Sequence, residues 1–415
     1  MLKAIPLVLL FLISAGGAEV LCPFCGGTNQ DNYRYCIYCG EASSFAVQSD
    51  SKIEMYISRS MEFESQNSLE EALYCLDIAL TLAPDHIRLL NKKGMMLLKL
   101  GRTEEAREVF TRALNLDPSY IRAMTGLALV DMKIGAYEKA IEELNQALAI
   151  EPKYATALDL MGSNLYSLGR YEEAIKYYSE LLELNSVNPK IYNDLGSAYA
   201  AIKKYNEALD AFDKSLTLRP YYFPALLNRA HCLLAMGRFT EASQTYGTCI
   251  SLDPDSVPAW CGKANALKGM NQIDLAIEAF NQAATLEGKD SLIWGEIGKL
   301  AYDSGNWEKA CEAYGIFLKI QASDSAAWAE NGVALTRLGR YGEALQSFEK
   351  ALKIKDDAGA WYGKGLCYYI MGRYEDSVKC LEESLRLEPS HLEAQEMLTN
   401  ARERVRESVD IKVFK

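Results

Sequence analysis

Small apolar, large apolar and polar residues follow one another along most of this chain in a pattern that recurs every 34 residues. Each period contains two stretches whose apolar residues are three or four positions apart, which is the spacing of one buried helix face. A short turn separates the two stretches, and in five periods it carries a glycine followed by an arginine: Gly101-Arg102, Gly169-Arg170, Gly237-Arg238, Gly339-Arg340 and Gly372-Arg373. The pattern predicts a series of helix-turn-helix units.

Residues at fixed places within the period resemble the tetratricopeptide repeat. In the second unit Gly94, Ala106, Phe110, Ala113 and Pro118 stand at positions 8, 20, 24, 27 and 32 of that family's pattern. The resemblance implies an all-α fold, a right-handed superhelical solenoid of about ten helix-turn-helix repeats. The repeats run through 53–86, 87–120, 121–154, 155–188, 189–222, 223–256, 257–290, 291–324, 325–357 and 358–391.

The residue types at these places have a physical reason. Small residues at positions 8 and 20 let the two helices approach closely, and glycine at position 15 ends the first helix in a left-handed conformation. Proline at position 32 stops the second helix. One unit cannot bury its apolar face alone, so stacked neighbours complete the core. Apolar residues share one face after the last unit, so residues 392–415 are expected to form a capping helix and tail.

Two Cys-x-x-Cys-Gly segments near the N-terminus predict a metal site. Cys22, Cys25, Cys36 and Cys39 resemble the ligands of short zinc ribbons found in many prokaryotic proteins. Four thiolates complete a closed tetrahedral shell, so we expect one structural Zn²⁺ within residues 19–42. Two disulfides or an iron–sulfur site are the alternatives. A short polar linker is expected over residues 43–52.

The first 18 residues and the cysteines favour different compartments. Residues 1–18 combine a lysine, a short apolar run and small residues at Gly16 and Ala18, which is typical of a signal peptide or membrane anchor. A mis-called start is the alternative. Seven further cysteines are scattered and odd in number, which favours a reducing compartment. We expect an exported or membrane-associated protein, with the cytoplasm as the alternative.

Composition and motifs argue against catalysis. The chain has only three histidines, which fall in different repeats, and no phosphate-binding loop or nucleophile elbow. The net charge of −12 disfavours a nucleic-acid partner. The ribbon adds little basic charge, since Arg34 is the only cation between Cys22 and Cys39. We therefore expect a protein that is not an enzyme and has no small-molecule substrate.

The resemblance implies instead a scaffold that binds peptide or helical segments of partner proteins in a concave groove lined by the first helix of each repeat. A subunit of a membrane or envelope assembly, and a regulatory adaptor acting through the ribbon, are the alternatives. Positions 2, 5, 9 and 12 of the first helices are expected to face that groove. They include Arg88, Asn91, Tyr166, Lys190, Asn193, His231, Asn265, Lys268, Lys299, Tyr302, Tyr362 and Tyr369.

Overall fold

A computed structural model describes residues 19–21, 28–30 and 44–413 of the chain. Strands β1 (Glu19–Leu21) and β2 (Thr28–Gln30) pair antiparallel, with Glu19 opposite Gln30. The four ribbon cysteines and the signal or anchor segment predicted at residues 1–18 lie outside the described residues. Helices and the short turns between them make up the rest of the described chain.

Twenty-one helices follow the strands, and they confirm the predicted all-helical repeat fold. From α1 to α20, odd-numbered helices are the first helices of the repeats and even-numbered helices are the second, and α21 follows the last repeat. Their bounds are α1 (Ser44–Ser65), α2 (Leu69–Leu82), α3 (Ile87–Lys99), α4 (Thr103–Leu116), α5 (Ile121–Lys133), α6 (Tyr137–Ile150), α7 (Ala155–Ser167), α8 (Tyr171–Leu184), α9 (Pro189–Ala201), α10 (Tyr205–Leu218), α11 (Phe223–Ala235), α12 (Phe239–Leu252), α13 (Val257–Gly269), α14 (Ile273–Leu286), α15 (Ser291–Asp303), α16 (Trp307–Ile320), α17 (Ser325–Arg337), α18 (Tyr341–Ile354), α19 (Ala358–Ile370), α20 (Tyr374–Leu387) and α21 (Leu392–Val413).

Helix α1 begins at Ser44, within the stretch 43–52 for which the sequence suggests a linker. No glycine or proline interrupts residues 44–52, so the backbone can continue the helix upstream of the first repeat. At the other end, α21 packs on α20 and buries Ala394, Leu398 and Ala401. Between residues 44 and 413, none of the helices is both long enough and apolar enough to cross a membrane.

The chain forms two compact units, divided between Ser186 and Val187. In each unit every helix packs on its neighbours in sequence, and first helices of adjacent repeats also touch one another. These additional contacts join α3, α5 and α7 in the first unit. In the second unit they join α9, α11 and α13, and separately α15, α17, α19 and α21. First helices therefore lie side by side along one face of each unit, which we call its inner face.

Aromatic rings at position 24 explain the small residues around them. The ring of Phe110 is fully buried, and a Cβ added to Gly94 or Gly126 would lie only 2.6 or 2.5 Å from it. Such distances are shorter than any ordinary van der Waals contact, so both helix backbones approach as far as the ring allows. The same arrangement recurs around Phe348. The ring at position 24 thus joins its own repeat to the next one.

The residue at position 15 has a positive φ, the left-handed conformation, in each of the ten repeats. Seven of these turns use glycine, as at Gly101, where φ is +76°. The first, fifth and seventh repeats lack glycine there, yet Asn67, Lys203 and Asn271 adopt φ values of 59°, 61° and 58°. Repeat geometry therefore imposes this conformation even on a lysine, a residue type that adopts it at a cost.

Candidate functional site

The inner face of the second unit carries a row of side chains at position 9 of successive first helices. We call it the position-9 row, and its members are Ser197, His231, Asn265, Lys299, Val333 and Leu366. Equivalent positions on helices that lie side by side form a line, because each helix is offset from the next in the same way. The row is polar from α9 to α15 and apolar on α17 and α19. Its chemistry therefore changes from one end to the other.

Three members of the row are open to solvent. His231, Asn265 and Lys299 are exposed, whereas the other three are half-buried. No described residue hydrogen-bonds to the side chain of Asn265 or pairs with the ammonium of Lys299. The His231 ring meets Tyr246 edge-on, with centroids 5.6 Å apart. Although His231 is exposed, neighbouring protein, including the Tyr246 ring, shields part of the imidazole from water, which disfavours its charged form and lowers the pKa of His231, so it is neutral at pH 7.

Asn193, in contrast, has its amide occupied by neighbours. It is buried, it donates to Asp194 Oδ1 at 3.1 Å, and its Oδ1 accepts from Asn228 Nδ2 at 3.0 Å. Asn228 also donates to Ser197 Oγ at 3.2 Å. Lys190 lies beside this network and pairs with Asp194 at 2.9 Å. These polar contacts tie α9 to α11, so Asn193 holds two first helices together.

Lys268 is likewise engaged within the second unit. Its ammonium lies 2.8 Å from Glu296, which joins α13 to α15. Both side chains are about 40% exposed, at 40% and 42%, so water screens the attraction and the pair adds little stability. Exposed pairs of this kind can exchange partners readily. Lys268 is therefore available to a ligand only in competition with Glu296.

The tyrosines predicted at position 12 pack against aromatic rings at position 17 of their own repeats. Three such pairs meet edge-on with centroids 5.2 to 5.5 Å apart: Tyr166 with Tyr171, Tyr302 with Trp307, and Tyr369 with Tyr374. Aromatic pairs favour this geometry because the ring edge is positive and the face is negative. These tyrosines brace the turn between the two helices. They keep a partly open face, since Tyr302 and Tyr369 are half-buried and Tyr166 is 37% exposed.

The remaining predicted residues divide between the two units. Tyr362 is half-buried and stacks on the His391 ring with centroids 4.9 Å apart. In the first unit Arg88 is exposed at the start of α3. Asn91 is half-buried, and its Oδ1 is buried without a hydrogen-bond partner among the described residues. Of the predicted set, the exposed side chains without an internal partner are thus Arg88, Asn265 and Lys299, with His231 exposed beside a ring.

The third repeat contains a buried acidic pair that is not among the residues predicted from the sequence. Asp131 on α5 is fully buried and accepts from Arg107 Nη2 at 2.6 Å, and Lys139 Nζ lies 3.3 Å from its other oxygen. Glu143 on α6 faces it. Burial, followed by the charge of Asp131 and a hydrogen bond to it, raises the pKa of Glu143 to about 8. Glu143 is therefore protonated at pH 7 and donates to Asp131.

A signal for this pair was present in the sequence. Asp131 and Glu143 occupy positions 11 and 23 of their repeat, where every other repeat has an apolar, small or hydroxyl-bearing residue. Burial opposes charge on Asp131, but the hydrogen bonds from Arg107 and Glu143 keep the pKa of Asp131 below its usual range. Among the described residues no three His, Cys, Asp or Glu side chains are grouped to hold a metal ion.

Comparisons with known proteins agree with the repeat architecture. Five family models match, four described as "Tetratricopeptide repeat" and one as "TPR repeat". They cover residues 59–121, 97–163, 162–203, 200–267, 257–290, 296–359 and 358–391. Among curated proteins, no sequence matches this chain.

Several solved structures are similar over part of the chain. Pseudomonas aeruginosa pilF is 27% identical over 51% of this chain and 95% of its own, with a TM-score of 0.45. A tetratricopeptide repeat protein from Parabacteroides merdae is 17% identical over 68% of this chain and 98% of its own, with a TM-score of 0.40. MamA from Desulfovibrio magneticus RS-1 is 23% identical over 41% of this chain and 96% of its own, with a TM-score of 0.39.

Proposed function

Because this chain is a tetratricopeptide-repeat protein, we propose that it is a non-enzymatic scaffold that binds a segment of a partner protein along the inner face of its second unit. The observation that carries the proposal is the position-9 row. Three successive repeats present His231, Asn265 and Lys299 to solvent, and the described residues give Asn265 and Lys299 no internal partner. Side chains held on rigid helices in this way are ready to bind a ligand.

The chemistry of the row defines the segment that fits it. Lys299 attracts a carboxylate, and the amide of Asn265 can donate to and accept from a peptide backbone. Neutral His231 offers one donor and one acceptor. Further along, Val333 and Leu366 present apolar surface. The fitting segment is extended or helical, polar to acidic where it meets α11 to α15 and apolar where it meets α17 and α19.

Site-specific crosslinking tests this assignment in the native host. A benzophenone amino acid replaces Asn265 in the full chain, and a second protein carries it at Gln244, which is exposed on the second helix α12. We expect a partner protein to crosslink at 265 and not at 244. His231→Ala with Lys299→Glu should abolish that crosslink while the helical circular dichroism stays unchanged. Equal crosslinking at both sites, or none above background at 265, contradicts the proposal.

We further propose that Cys22, Cys25, Cys36 and Cys39 hold one structural Zn²⁺. Two points support it. The donor set is four thiolates, which suits tetrahedral zinc. The stretch that carries Cys22 and Cys25 also connects two strands that pair antiparallel, β1 and β2. A closed set of four protein ligands would leave no position for substrate, so the metal would stabilise the N-terminal module and take no part in catalysis.

Metal analysis and thiol counting separate zinc from the disulfide alternative. Purified full-length protein should contain one zinc per chain, and Cys22→Ser with Cys36→Ser should remove it. After denaturation with a chelator, the zinc form should give 11 reactive thiols, the full cysteine content of the sequence. Two disulfides would leave only the 7 cysteines that are free in the repeats. Zinc-free protein with 7 thiols contradicts the metal site.

A further inference from the structure

We propose that a cleft between the second helices of the eighth and ninth repeats, lined also by Trp328 from the first helix α17, binds an acidic peptide segment that carries one bulky apolar side chain. The cleft has a volume of about 570 Å³. It is lined by the apolar side chains of Trp328, Leu318 and Ile354 and by the lysines Lys319, Lys350 and Lys353. We call it the Trp328 cleft. It contains no member of the position-9 row, so it is a site separate from the inner face.

The apolar part of the cleft is already formed. Trp328 Nε1 donates to the carbonyl of Ala322 at 3.0 Å, which fixes the orientation of the indole. Gly315 lines the cleft from α16, and nothing lies within 4 Å of where its Cβ would be. Ile354 is 45% exposed at the edge. A side chain entering this space would bury apolar surface on both sides without first moving the protein.

All the charged residues that line the cleft are positive. Lys319, Lys350 and Lys353 line it, and within the described residues no carboxylate lies at ion-pair distance from any of the three. Lys350 instead places its ammonium 4.1 Å from the centre of the Trp328 ring. These three lysines give the cleft a positive charge, although the chain as a whole has a net charge of −12. A ligand with carboxylates offers the complementary charge.

Other repeats lack this arrangement. Position 29 holds lysine only in the eighth and ninth repeats, at Lys319 and Lys353. The tenth repeat has Arg386 there, but Asp356 at 3.0 Å and Glu383 at 2.6 Å already neutralise it. Across the first seven repeats the position is neutral or acidic: Thr81, Asn115, Ala149, Glu183, Thr217, Ser251 and Thr285.

A second cleft beside a tryptophan, formed within the seventh repeat, offers a comparison in the same unit. A cleft of about 500 Å³ lies beside Trp260, and it is lined by Leu267, Leu275 and Ala279. Its charged residues are Lys263 and Glu278, which balance each other. Size and tryptophan are thus shared, while the net positive charge belongs to the Trp328 cleft. Three separate ammonium groups around a space for one side chain fit an acidic peptide better than a long phosphate backbone.

A labelled peptide tests the proposal on the full chain. The probe is a capped, fluorescein-labelled peptide with one phenylalanine between two pairs of glutamates, followed by fluorescence anisotropy at low salt. We expect saturable binding that weakens at least tenfold in Lys319→Glu with Lys353→Glu. Lys263→Glu at the Trp260 cleft should change the affinity less than twofold. All of these lysines are solvent-facing or half-buried, and circular dichroism verifies that the variants fold.

One altered probe and one altered cleft test the apolar part. A peptide with serine in place of phenylalanine should bind at least tenfold more weakly, and Gly315→Met should weaken the original peptide by filling the cleft. The proposal is overturned if the serine peptide binds as tightly as the phenylalanine peptide. It is also overturned if the Lys319→Glu, Lys353→Glu protein binds the peptide as tightly as the Lys263→Glu protein. Absence of peptide binding also overturns it. Lysine-dependent binding to phosphatidylserine vesicles without peptide binding would assign the cleft to a membrane surface instead.

Discussion

The second and third repeats share one backbone pattern but differ in what they bury at positions 11 and 23. The second repeat has Leu97, which is fully buried, and Val109. The third has Asp131, equally buried, and Glu143. Helix lengths and turns are the same in both. The repeat geometry is therefore set by positions 8, 15, 20 and 24, whereas positions 11 and 23 accept even carboxyl groups when neighbours satisfy them.

Satisfying those carboxyl groups takes residues from two repeats. Arg107 reaches Asp131 from α4 of the second repeat, while Lys139 and Glu143 reach it from α6. A buried carboxylate is costly unless it is paired and hydrogen-bonded. A proton retained on Glu143 removes the repulsion that two adjacent carboxylates would otherwise have. The third repeat therefore depends on the second through a specific ion pair in addition to apolar packing.

Removing Arg107 should have the largest effect. Arg107→Met leaves Asp131 buried without its closest cation, and breaking a buried pair in this way costs about 3–5 kcal/mol. Arg112→Met is the matched control, because Arg112 lies on the same helix and pairs only with exposed Asp85 and a turn carbonyl. Hydrogen exchange should show faster opening of α4 to α6 in the first variant alone. Similar protection in both variants would contradict the role given to Arg107.

Alkaline pH should weaken the third repeat by about 2 kcal/mol. Folding raises the pKa of Glu143 from 4.5 to about 8, so the folded state holds this proton more tightly than the unfolded chain. The contribution is complete below about pH 4.5 and is lost as the pH rises through about 8. Urea unfolding between pH 6 and pH 9 measures the loss.

Glu143→Gln should flatten that pH dependence, because the amide can still donate to Asp131 and does not titrate. The comparison between the two proteins also cancels titration elsewhere, including that of His231. Asp131 has the opposite sign, since its lowered pKa makes its contribution appear above the usual aspartate range and disappear in acid. Parallel curves for wild type and the glutamine variant would show that Glu143 does not carry the shared proton.

Converting the third repeat to the pattern of the second should stabilise it by about 1 kcal/mol or leave it unchanged. Asp131→Leu with Glu143→Val replaces the polar pair by apolar groups, and such replacements are often neutral or favourable. Arg107 retains 23% exposure and Lys139 retains 55%, so both can turn to water. Thermal unfolding of the double variant provides the measurement. Destabilisation as large as that of Arg107→Met would mean that the acidic pair itself is required for folding.

Sequence periodicity predicted the fold well because the repeat positions act through local sterics. Glycine at Gly94 is needed by the Phe110 ring, and both residues lie within one 34-residue period. Side-chain availability on the inner face could not be predicted in the same way. Whether Asn193 is free depends on Asn228 in the next repeat, and whether Tyr302 is free depends on the Trp307 ring. The first pairing is set by the neighbouring repeat, and the second by the way the two helices of one repeat pack around their turn.

The smallest expected effect on stability concerns the turn between the two helices of a repeat. The second and third repeats turn at Gly101 and Gly135, whereas the fifth turns at Lys203 with φ of 61°. A residue with a Cβ destabilises the folded state by about 1–2 kcal/mol when it adopts this conformation, and glycine removes that strain. Glycine also makes the unfolded chain more flexible, which offsets part of the gain. Lys203→Gly should therefore raise stability by about 0.5 kcal/mol. Lys204→Gly is the control, since Lys204 already has φ of −81° and should gain nothing. If both variants shift the urea midpoint equally, the left-handed turn at Lys203 is not strained, and the repeat tolerates lysine there as freely as it tolerates the acids at positions 11 and 23.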